Sequence, residues 1–101
     1  MTKYNFNEEV LNILKSTDGI SGTELKDRFG HKTTRQTRIA IQQLRKDGHP
    51  ICLSKGSGYF YSTDRVDIER TIRDLMSRAN EIVNVCEGIF RGLEGDFYAN
   101  D

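Results

Sequence analysis

Apolar residues recur at helical spacing from about Asn5 to Ser16, where Phe6, Val10, Ile13 and Leu14 form one stripe. Thr17-Asp18-Gly19 ends that segment as a turn-type cluster. A second, shorter element opens on Ser21-Gly22-Thr23-Glu24, the pattern of a capping box, and places Leu25 and Phe29 on one face before Gly30 stops it. A third helix is predicted from Thr33, with Thr33 and Gln36 as a second capping box and Thr37, Ala40, Ile41 and Leu44 as the core stripe. Asp47-Gly48 ends it, and Pro50 prevents its resumption.

The pattern then changes period. Ile51-Cys52-Leu53-Ser54 and Tyr59-Phe60-Tyr61-Ser62 are short runs rich in β-branched and aromatic residues, which suit strands. Lys55-Gly56-Ser57-Gly58 between them reads as a hairpin loop. A loop of that length sets Leu53 opposite Phe60, with the pair facing the core. Asp64 caps a last helix expected to run to about Glu87. Along it Ile68, Ile72, Leu75, Ala79, Ile82, Cys86 and Ile89 are separated alternately by four and three residues, a heptad seam. Gly88, Gly92 and Gly95 are expected to loosen the chain after it. The fold class is therefore mainly α with a small β-hairpin. Residues 5–63 form one domain, 64–90 a long C-terminal helix and 91–101 a flexible tail.

Composition supports a globular chain of 101 residues, with 36% hydrophobic and 30% charged residues and one proline. No apolar run has the length of a membrane span, and MTKYNFNEEV lacks an apolar signal core, so a cytoplasmic protein is expected. Cys52 and Cys86 stand far apart and are read as buried apolar fillers rather than a disulfide.

Net charge is zero, but its distribution is uneven. Residues 1–63 carry ten Lys/Arg against six Asp/Glu, a balance of +4, and residues 64–101 carry five Arg against nine Asp/Glu, a balance of −4. From Lys32 to Lys55 six cations (Lys32, Arg35, Arg38, Arg45, Lys46 and Lys55) face Asp47 alone. That asymmetry suits a polyanion-facing surface, although a solvated helix face produces the same pattern.

The succession of the capped helix Ser21–Phe29, the Gly30 turn, the cationic helix Thr33–Lys46, the Asp47-Gly48 exit and the hairpin ending Gly58-Tyr59-Phe60 resembles the winged helix-turn-helix family. The likeness covers roughly Phe6 to Ser62. The segment Leu44-Arg45-Lys46-Asp47-Gly48-His49-Pro50-Ile51 looks like that family's step from recognition helix to wing. Small phage-encoded regulators and the N-terminal module of biotin-operon repressors share the arrangement. The resemblance implies a double-stranded DNA-binding regulator, with the hairpin 51–62 as wing. Winged helices also serve as protein-interaction modules, so the alternative is a chain that binds or inhibits a host replication or transcription factor.

With Thr37, Ile41 and Leu44 turned to the core, Arg35, Arg38, Ile39, Gln42 and Lys46 point outward on the helix 33–46. A helix fits the major groove, where arginine can pair with guanine and glutamine with adenine. Arg35, Arg38 and Gln42 are thus candidate base readers, with Gln36 beside them. Ile39 either meets a thymine methyl or packs on another helix. Thr34, Lys46 and Lys55 are candidate phosphate contacts, and the threonine serves equally well as a plain helix cap.

The last helix holds no lysine and carries Asp67, Glu69, Asp74, Glu81 and Glu87, which makes it a poor DNA surface. Its seam either pairs with a second copy or folds back. The homodimer is favoured, because a helix of this length outreaches so small a domain. A two-fold dimer would set two recognition helices roughly 34 Å apart on a palindromic site. Catalysis is not expected. His31 and His49 each lie beside a turn, and neither metal-ligand spacing nor a phosphate-cradling loop occurs, so no metal or cofactor is expected.

Overall fold

The structure is a computed structural model that describes residues 5–99, and side chains as far as Leu93. The order is α1 (Phe6–Lys15), α2 (Gly22–Arg28), α3 (Arg35–Lys46), β1 (Ile51–Ser54), β2 (Gly58–Tyr61) and α4 (Arg65–Ala99). The chain is mainly helical, with one two-stranded antiparallel hairpin and a long C-terminal helix. It divides into a unit that ends at Thr71 and a second unit from Ile72 onward.

Local chemistry sets the ends of the helices. Asn5 caps α1, its side-chain oxygen accepting from the Glu8 N–H at 3.1 Å, and Ser21 caps α2 by accepting from the Glu24 N–H at 3.0 Å. Helix α2 closes with a paired motif in which the His31 N–H donates to the Lys26 carbonyl and the Gly30 N–H to the Asp27 carbonyl. Helix α3 closes the same way, with His49 donating to Leu44 and Gly48 to Arg45. Gly48 has φ +102°, a conformation that a side chain disfavours.

Three helices and the hairpin enclose the core of the first unit. Helix α1 contributes Val10, Leu11 and Leu14, α2 contributes Leu25, and α3 contributes Ala40, Ile41 and Leu44 beside the buried Thr37. Ile20 and Ile51 complete the core, and Phe6, Ile13, Phe29, Tyr59 and Tyr61 pack around it. Helix α1 packs against α3 and β2, and α2 against α3. His31 lies against Phe6 and Phe29, with ring centroids 5.4 and 6.1 Å away, so the chain after α2 is held to the start of α1.

The structure corrects four expectations. Helix α3 starts at Arg35 rather than Thr33. Thr34 is its cap residue and makes no side-chain cap bond, while the Thr33 hydroxyl lies 3.4 Å from the Gln36 side-chain oxygen. The hairpin register is shifted by one residue: Leu53 pairs with Tyr59 and Cys52 with Phe60, across the three-residue loop Lys55-Gly56-Ser57. The slip sets Phe60 opposite Cys52, on the other face of the hairpin from Leu53. Leu53 shares a face with the buried Ile51 but lies nearer the turn, and it is 36% exposed rather than in the core. Strand β2 also takes part in a long-range bridge. Ile20 and Tyr59 exchange two backbone hydrogen bonds, of 2.9 and 2.8 Å, which ties the link between α1 and α2 to β2. Helix α4 continues through Gly88, Gly92 and Gly95 to Ala99, past the expected end near Glu87, so the described part of the expected tail, 91–99, is helical; Asn100 and Asp101 lie outside the described residues. Finally, Cys52 is buried as expected, but Cys86 is an exposed free thiol.

Candidate nucleic-acid interface

Helix α3 is strongly two-sided. Its buried residues, Thr37, Ala40, Ile41 and Leu44, lie three and four positions apart and fix which way the helix faces. Arg35, Arg38, Ile39, Gln42 and Lys46 then fall in one stripe on the opposite side, and all five are exposed. Arg35, Arg38, Ile39 and Gln42 line one open cleft of about 230 Å³. Ile39 is 53% exposed in the middle of this polar group. Lys46 continues the stripe one turn beyond Gln42.

No hydrogen bond or ion pair among the described residues engages the side chains of Arg35, Arg38, Gln42 or Lys46. The neighbouring polar residues are differently placed. Gln43 donates to the Asp47 carboxylate at 3.0 Å, and Gln36 is engaged with Thr33. Arg45 belongs to the fold rather than to the stripe: its Nε donates to the Ile51 carbonyl at 2.9 Å, and its guanidinium lies 5.9 Å from the Tyr59 ring centroid. Sequence alone counted Arg45 among the surface cations. The residue sits one position after Leu44, on the flank that faces the hairpin.

The start of α3 also differs from the starts of the other helices. Helices α1, α2 and α4 carry Glu8 and Glu9, Glu24 and Asp67 in their first turns, whereas α3 carries no acid there. Among the described residues its first-turn amides meet one side-chain acceptor, the Thr33 hydroxyl, which accepts from the Arg35 N–H at 3.4 Å. Thr34 is half-buried, and its carbonyl accepts from the Thr37 hydroxyl at 2.9 Å. A helix start of this kind leaves N–H donors and a positive dipole end without a covalent counter-charge. Lys55 is exposed in the hairpin turn.

The seven expected seam residues are unequally placed. Ile68 is half-buried in the first unit, while Ile72, Leu75, Ala79, Ile82, Cys86 and Ile89 in the second unit are all exposed. The sequence reading missed a second apolar row. Met76, Val83 and Phe90 follow one another at seven-residue intervals beside the seam, and Leu93 extends the seam by one more step. The heptad period contained that signal, since all three occupy the same position of the repeat.

No group of His, Cys, Asp or Glu among the described residues could hold a metal ion, and no helix is long and apolar enough to cross a membrane. No family model, curated protein or solved structure matches the chain.

Proposed function

We propose that the chain is a winged helix-turn-helix protein that binds double-stranded DNA sequence-specifically as a dimeric regulator, with α3 as the helix that enters the major groove. The observation that carries this reading is the outward stripe of α3, in which two arginines, a glutamine and a lysine are exposed and internally unpaired around Ile39. Surface residues of a purely structural helix commonly engage one another at i, i+4, as Gln43 and Asp47 do here. The stripe instead offers donors suited to guanine and adenine edges and an apolar centre suited to a thymine methyl. In this reading Arg35, Arg38 and Gln42 read bases, and Lys46 and Lys55 contact phosphates. The acid-free start of α3, with Thr34, receives a further phosphate.

The hairpin supports the same reading by its attachment. It is joined to α3 through Arg45 and to the α1–α2 link through the Ile20–Tyr59 bridge, so Lys55 is carried on a braced loop. Selection of bound sequences from a random duplex pool tests the proposal. Enrichment of a defined site, bound more tightly than random duplex and with steep loss of affinity as salt rises, is the expected result. A protein that ignores duplex DNA in dilute buffer overturns it.

A further inference from the structure

The second unit presents one continuous apolar face. Ile72, Leu75, Ala79, Ile82, Cys86, Ile89 and Leu93 form its axis, and Met76, Val83 and Phe90 widen it on one side. Exposed apolar surface of that extent in a single chain calls for a partner. We infer that this face pairs with the same face of a second copy running in the opposite direction. The inference deepens the proposed dimer by fixing the partner and its direction.

Three features select an antiparallel copy. The first is the symmetry of the seam. The six residues from Ile72 to Ile89 are arranged evenly about the point between Asn80 and Glu81, so reversing one copy sets Ile72 against Ile89, Leu75 against Cys86 and Ala79 against Ile82. The two smallest side chains then each meet a large one, as interdigitated packing requires. Parallel pairing in register instead stacks Ala79 on Ala79 and Cys86 on Cys86, leaving two thin layers. The second feature is charge. Residues 72–80 carry Arg73 and Arg78 against Asp74, whereas residues 81–89 carry Glu81 and Glu87 and no cation. Reversal brings the cationic half of each copy beside the acidic half of the other, with Arg73 within one residue of the level of Glu87 and on the same flank. Parallel pairing gathers the four glutamates at one end. The third feature is the side row. In an antiparallel pair the Met76, Val83 and Phe90 rows of both copies lie along the same groove and cover one another. In a parallel pair each row instead faces the flank of the other copy that carries Arg78 and Val85, so the two rows do not cover one another.

Direction has a consequence for DNA binding. Antiparallel pairing separates the two Ile72 residues, each joined directly to its own first unit, by roughly 26 Å along the axis, taking ~1.5 Å of rise per residue. Parallel pairing would hold them side by side.

The exposed Cys86 is a built-in reporter of direction. The full chain and its Leu75→Cys variant are treated with oxidised glutathione, the disulfides are mapped by peptide mass, and the untreated proteins are weighed by light scattering. The expected result is an assembly of at least two chains, little Cys86–Cys86 bond in the parent, and efficient bonds between position 75 and Cys86 of the other copy in the variant. Positions 75 and 86 lie about three turns apart on one helix, so that bond cannot form within a chain. A second variant, Ile72→Cys with Ile89→Cys and Cys86→Ser, reports the outer layer should Leu75→Cys weaken the pair, and its expected bond is 72 to 89. Rapid, complete Cys86–Cys86 bonding in the parent overturns the inference, as does a single-chain mass. Anisotropy of a labelled duplex on the same samples separates the two proposals. A single chain that binds DNA refutes the pairing alone, and an antiparallel pair that ignores DNA refutes the DNA reading alone.

Discussion

Arg38 and Arg45 lie seven residues apart on α3, almost two full turns, yet they have opposite surroundings. Arg38 is exposed and lines the outer cleft, while Arg45 donates to the Ile51 carbonyl and lies over Tyr59. Their alanine variants should separate accordingly. Arg38→Ala is expected to weaken binding to a selected duplex by about 1–3 kcal/mol and to relax the preference at one base position, leaving the urea midpoint unchanged. Arg45→Ala removes a charge-assisted bond to a backbone carbonyl and should lower stability by about 1.5–3 kcal/mol in urea denaturation. Gly58 and Gly48 differ in their surroundings in the same way. Gly58 has φ +79°, and a Cβ there would lie 2.5 Å from the Ile20 carbonyl oxygen. Gly48 has φ +102° with open space around it. Gly48→Ala should therefore cost about 1–2 kcal/mol, the penalty of the left-handed backbone alone, and Gly58→Ala clearly more in the same denaturation series.

At the scale of elements, the helices of the first unit are nearly autonomous readings of the sequence. The apolar stripe of α3, its glycine exit and the Ser21 cap of α2 stand where period and side-chain chemistry put them, because each depends on residues within one or two turns. The hairpin is different. Its register is closed by the three-residue turn Lys55-Gly56-Ser57 with Gly58 at φ +79°, and Tyr59 also bridges to Ile20, 39 positions earlier, a pairing that carries no local signature. Helix α3 also starts two residues later than the capping pattern places it, with Thr34 at the cap position and the Thr33 hydroxyl bonded to both Gln36 and the Arg35 N–H. Among the charged elements, the stripe and the turn should differ in what they contribute to DNA. Lys46→Ala and Lys55→Ala are each expected to weaken all duplexes about equally and to reduce the salt slope by about 1, measured as log affinity against log salt. A loss confined to one DNA sequence would assign either lysine to base reading.

The whole molecule joins a unit with its own core to a helical unit whose apolar side chains are exposed. A helix within a protein gains most of its stability from packing one face, and an isolated one is marginal. Helical signal from the second unit should therefore fall on dilution, and the thermal midpoint of that loss should rise with protein concentration, while the first unit melts independently of concentration. Circular dichroism at several concentrations measures this. A helical content independent of dilution down to the single-chain state would show that α4 is held without a partner.

Periodicity along the chain was enough for the type and order of the elements, the core stripe of α3, the outward set Arg35, Arg38, Ile39, Gln42 and Lys46, and the heptad period of α4. All of these are periodic, and a period of 3.6 or 2 can be read without knowing what lies opposite. The tertiary structure decided the strand register, the turning of Arg45 toward the hairpin and the exposure of Cys86. Each depends on which surfaces meet in space, and neither a period of 3.6 nor one of 2 records which surface a residue will meet.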